Sequence, residues 1–239
     1  MVKSPLLKVR LVILNNEFNR KNDSMEFTQE HFALFDRSLF TFKQLKERYS
    51  EEQLNEIKQQ YKHIWTDWKA LQLATNEELH YPLIPKVESW TNGWNLRNHF
   101  WCAYRTSQRQ GEASTLAQLL NRQQLQVYLM WQHYKADETL VSRQDYNERL
   151  LKALPAWAEK THFHYQIWTN ESSEWAVHWW LQDFLTSPEK QHQLISSLST
   201  ASIQLGVVWR PEEVIERPLE QLTTAVLEEL WPLYQTVAK

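Results

Sequence analysis

The sequence predicts an α+β fold: a mainly antiparallel, five-stranded sheet over about residues 99–209, packed with N-terminal and C-terminal helices. Three observations predict it. Apolar residues recur at steps of three and four towards both ends of the chain, the period of an amphipathic helix. In the middle the pattern changes to alternation, the period of a half-buried strand. The strand-like runs are adjacent or separated by single helices, without a regular β-α-β beat, which favours antiparallel pairing over a doubly wound sheet.

The elements follow in order. Thr28 caps a helix that carries Phe32, Phe35 and Leu39. Thr41 with Gln44, and Ser50 with Gln53, are capping-box patterns. The second opens the best-patterned helix, with Leu54, Ile57, Tyr61, Ile64, Trp68 and Leu71 on one face. From Asn76 to Asn95, Pro82, Pro85 and Gly93 break the period and predict a long loop bearing Tyr81, Trp90 and Trp94. His99–Arg105 and Leu125–Lys135 read as strands with a short helix between them at Leu116–Leu120. Ser142 opens a helix that Pro155 ends or kinks. Phe163–Thr169 and Trp175–Leu181 flank the polar loop Asn170–Glu174 as a hairpin. Ser187-Pro188 starts a helix, Ile203–Trp209 is a last strand, and a final helix begins near Pro218. No repeat or linker divides the chain, so one domain is expected over 25–239 behind a peripheral segment, 1–24. Met25, where the patterned sequence begins, is expected to be the natural start.

Composition excludes several functions. Cys102 is the only cysteine among 239 residues, so no internal disulfide can form, which fits a reducing, cytoplasmic setting. The three glycines, Gly93, Gly111 and Gly206, are isolated, and phosphate-cradling loops are written in clustered glycines. Neither a dinucleotide fingerprint nor a P-loop can be assembled from them. The charge is uneven: residues 1–161 are net +3 and residues 162–239 are net −6. An acidic final third and the lack of a basic stripe argue against nucleic acid as a partner. The apolar run Leu11–Leu14 is too short for a signal sequence, and no run approaches the length of a membrane span. The motifs specify no cofactor and no oligomeric state.

The hairpin carries the sharpest chemistry. Its strands place Phe163, Tyr165 and Ile167 on one side, with His162, His164 and Gln166 on the other. The partner strand offers Trp175, Val177, Trp179 and Leu181 to the first side, and Ala176, His178, Trp180 and Gln182 to the second. A five-residue loop sets Gln166 opposite His178 and His164 opposite Trp180. Arg105, with His133 or Tyr128, is a candidate to join this array. Such a face could line a pocket, with indoles as a stacking floor and imidazole, amide and guanidinium groups fixing a polar ligand. It could equally be packing, with each imidazole bonded to backbone. His162-x-His164 puts two imidazoles on one side of a strand but lacks a spaced third ligand, so no metal site is assigned. Trp90, in the predicted loop, is a further candidate contact. Two functions remain open. One is a module that binds a small molecule or a protein. The other is an enzyme without a nucleotide loop, a hydrolase or metal-dependent enzyme, using His164 and His178.

The opening Met-Glu-Phe-Thr-Gln-Glu-His-Phe-Ala-Leu-Phe-Asp-Arg from Met25, together with Leu125–Lys135, resembles an uncharacterised bacterial family. Its members are sometimes labelled bacterial glucose-6-phosphate dehydrogenase. The resemblance implies a bacterial, cytosolic protein and carries over no catalytic residue.

Overall fold

The computed structural model describes residues 27–172 and 176–238. The expected peripheral segment and Met25 lie outside the described residues, as does Trp175. Helices α1 (Gln29–Ala33), α2 (Phe42–Arg48) and α3 (Glu51–Glu78) come first. The hydroxyl of Thr41 accepts the Gln44 N–H at 3.3 Å. Ser50 and Gln53 satisfy each other reciprocally: Ser50 Oγ accepts the Gln53 N–H at 3.2 Å, and Gln53 Oε1 accepts the Ser50 N–H at 3.0 Å. Each bond removes an orphan donor at a helix start.

Nine strands follow among the described residues: β1 (Ile84–Val87), β2 (Thr91–Asn92), β3 (Asn95–Leu96), β4 (Phe100–Arg105), β5 (Ser114–Leu120), β6 (Leu125–Trp131), β7 (Gln166–Thr169), β8 (Trp179–Trp180) and β9 (Ile203–Trp209). The main sheet has seven strands in the order β1-β4-β5-β6-β9-β7-β8, and every pairing in it is antiparallel. Strands β2 and β3 form a separate two-stranded ladder around Gly93, whose φ of 57° glycine adopts freely.

The antiparallel α+β class is as expected, but the sheet is seven-stranded rather than five-stranded. Two strands account for the difference. Leu116–Leu120, expected as a helix, lies in β5, which pairs with β4 on one side and β6 on the other. Every residue of β5 is buried, so both faces are covered and the alternation that signals a strand is lost. Leu, Ala and Gln favour helix locally, but tertiary pairing overrides that preference. The expected loop at Asn76–Asn95 contains the end of α3, β1 and the β2–β3 ladder. Pro85 hid β1, yet among the described residues β1 is an edge strand paired only to β4, where proline is tolerated. The strand expected over Leu125–Lys135 stops at Trp131, and His133–Lys135 is a 3₁₀ turn.

Four further helices complete the chain order around β7–β9: α4 (Arg143–Ala158), α5 (Leu181–Thr186), α6 (Pro188–Ser197) and α7 (Pro211–Val214); α8 (Leu219–Thr236) ends it. Helix α4 continues through Pro155 rather than ending there. One sheet face carries Phe100, Cys102, Leu116, Val127, Leu129 and Leu205 into the main core. Tyr61, Trp68, Leu150, Leu227 and Leu230 from α3, α4 and α8 belong to the same core. A closed polar ring crosses this interface. Gln72 Nε2 donates to Gln118 Oε1 at 3.2 Å, Gln118 Nε2 donates to the Tyr104 hydroxyl at 3.3 Å, and that hydroxyl donates to Gln72 Oε1 at 2.8 Å. Each member is buried and satisfied, which fixes α3 against β4 and β5. The opposite face carries a second cluster made of strand residues: Trp101, Ala103, Ala117, Leu119, Tyr128 and Trp168.

Gly206 sits in β9 with Tyr128 and Gln166 as its partners on either side. A Cβ at that position would lie 2.4 Å from Tyr128 Cβ and 2.4 Å from the Val127 carbonyl oxygen. Glycine is therefore required by close approach of β6. Gly206→Ala should cost about 3 kcal/mol of stability, at the upper end for overpacking. Urea unfolding checks this, and an unchanged midpoint contradicts it.

Candidate functional site

The second sheet face leads towards the β7–β8 hairpin. Trp101 Nε1 donates to the Tyr128 hydroxyl at 3.1 Å. The Tyr128 ring stands 5.8 Å from that of Trp168, tilted by 39°. Trp168 is held by its register partner Gln204, whose Oε1 accepts the indole N–H at 2.5 Å. Beyond it, the imidazole of His178 stacks on the Trp168 indole with centroids 4.4 Å apart and planes 11° apart.

The observed register pairs Gln166 with Trp180 and Ile167 with Trp179. It is shifted by two residues from the expected pairing of Gln166 with His178. A two-residue shift preserves faces because side chains alternate with period two, so the expected grouping survives with different neighbours. The last pair is Ile167 with Trp179, so the connection between paired residues is longer than the expected five, and β8 is short because Leu181 already begins α5.

The candidate residues divide into three places. His178, Trp180, Gln166 and His164 lie together at the hairpin, with the His164 ring edge-on to Trp180 at 6.3 Å. Arg105 lies at the far end of β4, where its Nε donates to the Glu112 carbonyl at 3.1 Å and its Nη2 donates to Gln132 Oε1. These bonds tie the end of β4 to the neighbouring turn and strand end. Trp90 is half-buried and packs on the main core. Of the two possible additions, Tyr128 joins the row, whereas His133 packs edge-on to Trp131 of the main core at 5.2 Å.

His162 is a tether. Its backbone N–H donates to Glu229 Oε1 at 2.8 Å, and its Nδ1 lies 2.6 Å from the same oxygen. Tyr165 donates its hydroxyl to Glu229 Oε2 at 3.1 Å, so one carboxylate fixes the approach to β7 against α8. Among the described residues, no three His, Cys, Asp or Glu side chains are grouped to hold a metal ion.

Sequence reasoning missed that α6 closes the site. A cavity of about 270 Å³ lies between the hairpin and α6, lined by residues including Trp168, Thr169, Ser172, His178, Gln193 and Ser197. Ile167, Trp179 and Leu194 supply apolar wall. Val177, also on the lining, is 92% exposed and marks the mouth. His178 is 6% exposed, and its Nε2 is buried with no hydrogen-bond partner among the described residues. Burial lowers its pKa to about 4, so the ring is neutral at pH 7.

This architecture and site define an α+β protein with a small pocket at one edge of an antiparallel sheet, lined among the described residues by uncharged side chains. A protein-family model matches residues 27–237, and the chain belongs to that family. An uncharacterised protein of Haemophilus influenzae is 33% identical over 156 residues, which cover 63% of this chain and 71% of the relative. The pocket residues fall within the span of the family match.

An unfolded imidazole titrates near 6.5 and folded His178 near 4. Between those values the unfolded chain binds the proton that the folded chain refuses. The contribution of His178 to stability is therefore whole above pH 6.5 and is lost as the pH falls towards 4. NMR should show its ring protons titrating with a midpoint near 4, and His178→Phe should lessen the acid-side loss of stability. A midpoint near 6.5 would contradict the assigned burial.

Proposed function

We propose that this protein is a cytosolic module that binds an uncharged small molecule in the pocket between the β7–β8 hairpin and α6. The cavity of about 270 Å³, walled by Ile167, Trp168, Trp179 and Leu194 and bearing Thr169, Ser172, His178, Gln193 and Ser197, is the observation that carries it. Among the described residues the lining includes no Asp, Glu, Lys or Arg, and His178 is neutral. A charged ligand would gain no counter-ion from these side chains.

A dehydrogenase reading gains no support. Gly93 serves a turn, Gly111 is isolated in another turn, and Gly206 serves strand packing. A hydrolytic or metal-dependent reading gains none either, since His164 faces Trp180 and His178 faces Trp168. A cytosolic setting is supported by the single, buried Cys102. Among the described residues no helix is long and apolar enough to cross a membrane. A protein partner is a second reading, favoured by the half-exposed Trp180 and the open Val177 at the mouth.

Screening neutral and charged fragments by NMR tests the proposal. Neutral fragments should shift the Trp168 and Trp179 indole resonances and the His178 ring. Ser197→Trp, which places a large side chain on the lining, should weaken the best of them at least about tenfold. Binding confined to charged fragments, or to another surface, would contradict it.

A further inference from the structure

Helix α3 is charged unevenly. Lys58, Lys62, Trp65 and Lys69 stand at steps of four, three and four, so they share one flank. Glu51, in the first turn, lies on that flank two turns before Lys58. Glu52, Glu56, His63 and Asp67, at steps of four, seven and four, share a different flank. Like charges one turn apart, as at Lys58 and Lys62, disfavour a helix, so local helix stability does not account for the lysine flank. Two of the lysines are backed by rings: Lys58 Nζ lies 5.4 Å from the centroid of Phe42, and Lys69 Nζ 5.5 Å from that of Trp65. Trp65 Nε1 donates to the Glu88 carbonyl at 2.8 Å, and the Glu88 carboxylate pairs with Arg97 at 2.7 Å. Among the described residues the lysines in ion pairs are Lys135 and Lys190, not these three. Trp94 stands beside Phe42. Its carbonyl accepts the Phe42 N–H at 2.9 Å, and Thr41 bridges to Asn95, so the β2–β3 hairpin is fastened to the start of α2. The Trp94 side chain is nevertheless 85% exposed. An indole so exposed on a fastened hairpin contributes little packing and is the kind of side chain that anchors a partner.

We infer that the lysine flank of α3 and Trp94 form a docking surface for an acidic peptide segment of another protein. Its carboxylates meet Lys58, Lys62 and Lys69, and an apolar side chain packs on Trp94. Charge complementarity selects this occupant. A nucleic acid fits less well. Residues 162–239, net −6, repel an extended polyanion, whereas a short acidic segment is met locally. The rings of Phe42 and Trp65 are also capped by lysines rather than open to stacking bases. The surface shares no residue with the hairpin pocket, so the two readings stand or fall separately.

The test uses the whole chain and three labelled probes: a peptide of alternating Asp and Leu, the same peptide with Asn for Asp, and oligothymidylate. By fluorescence polarisation the acidic peptide should bind, more weakly as salt is raised, and at least about tenfold more tightly than its Asn counterpart. It should shift the Trp94 indole resonance of the native chain. Trp94→Ala should weaken it about tenfold and Lys62→Glu about fivefold. Lys152→Glu, the same charge change on α4, should leave it unchanged. All three substituted side chains are exposed, so the fold is retained. Oligothymidylate that binds through Lys62 while the acidic peptide does not would overturn the inference in favour of nucleic acid. No binding of the acidic peptide at low salt, or a loss as large in Lys152→Glu as in Lys62→Glu, would also overturn it.

Discussion

The stack of His178 on Trp168 is the interaction around which the hairpin end of this protein is arranged. A stacked aromatic pair contributes about 0.5–1.5 kcal/mol beyond its burial. The imidazole nitrogen that it buries without a partner among the described residues costs about as much or more. The pair is thus close to neutral for stability, and what it contributes is position: it sets the Trp168 and His178 walls of the cavity.

The stack depends on a sequence of positioned residues that runs back through the sheet. Gln204 holds the Trp168 indole N–H, and Tyr128 stands beside the same indole on β6. Glycine at 206 allows β6 and β9 to approach closely where Tyr128 projects. The main core on the opposite face does separate work. There α3, α4 and α8 bury the apolar strand residues, and the Gln72–Gln118–Tyr104 ring fixes the helix layer in register. The candidate site draws on both faces: Trp168 belongs to the strand cluster, while Ile167 and Leu194 belong to the main core and Trp179 packs on it.

Much of the helical structure was legible because caps are local. Thr41, Ser50, Ser142 and Ser187 mark helix starts through bonds to residues three positions on, which sequence spacing alone reveals. The strands were less legible. Strands β6 and β9 show alternation in sequence, with Gln126 and Gln204 on the second face, whereas β5, with every residue buried, reads as a generic apolar run. Strand β1 was hidden by Pro85, whose tolerance at a sheet edge depends on where the strand lies, which no local pattern encodes. At the site, the alternation of Gln166, His178 and Trp180 was readable, but the register was not, since it depends on the length of the connection between the paired residues. The contribution of Gln193, Leu194 and Ser197 was unreadable, because it comes from a helix that meets the hairpin only through tertiary packing.

The central claim is that His178 lies flat on Trp168 at the base of the pocket. The ring-current shift of its carbon-bound protons tests that most directly, because an indole face about 4.4 Å away shields them strongly. The account predicts upfield resonances in the native chain that return towards ordinary imidazole positions in Trp168→Leu. Unshifted His178 protons in the folded native protein would contradict it.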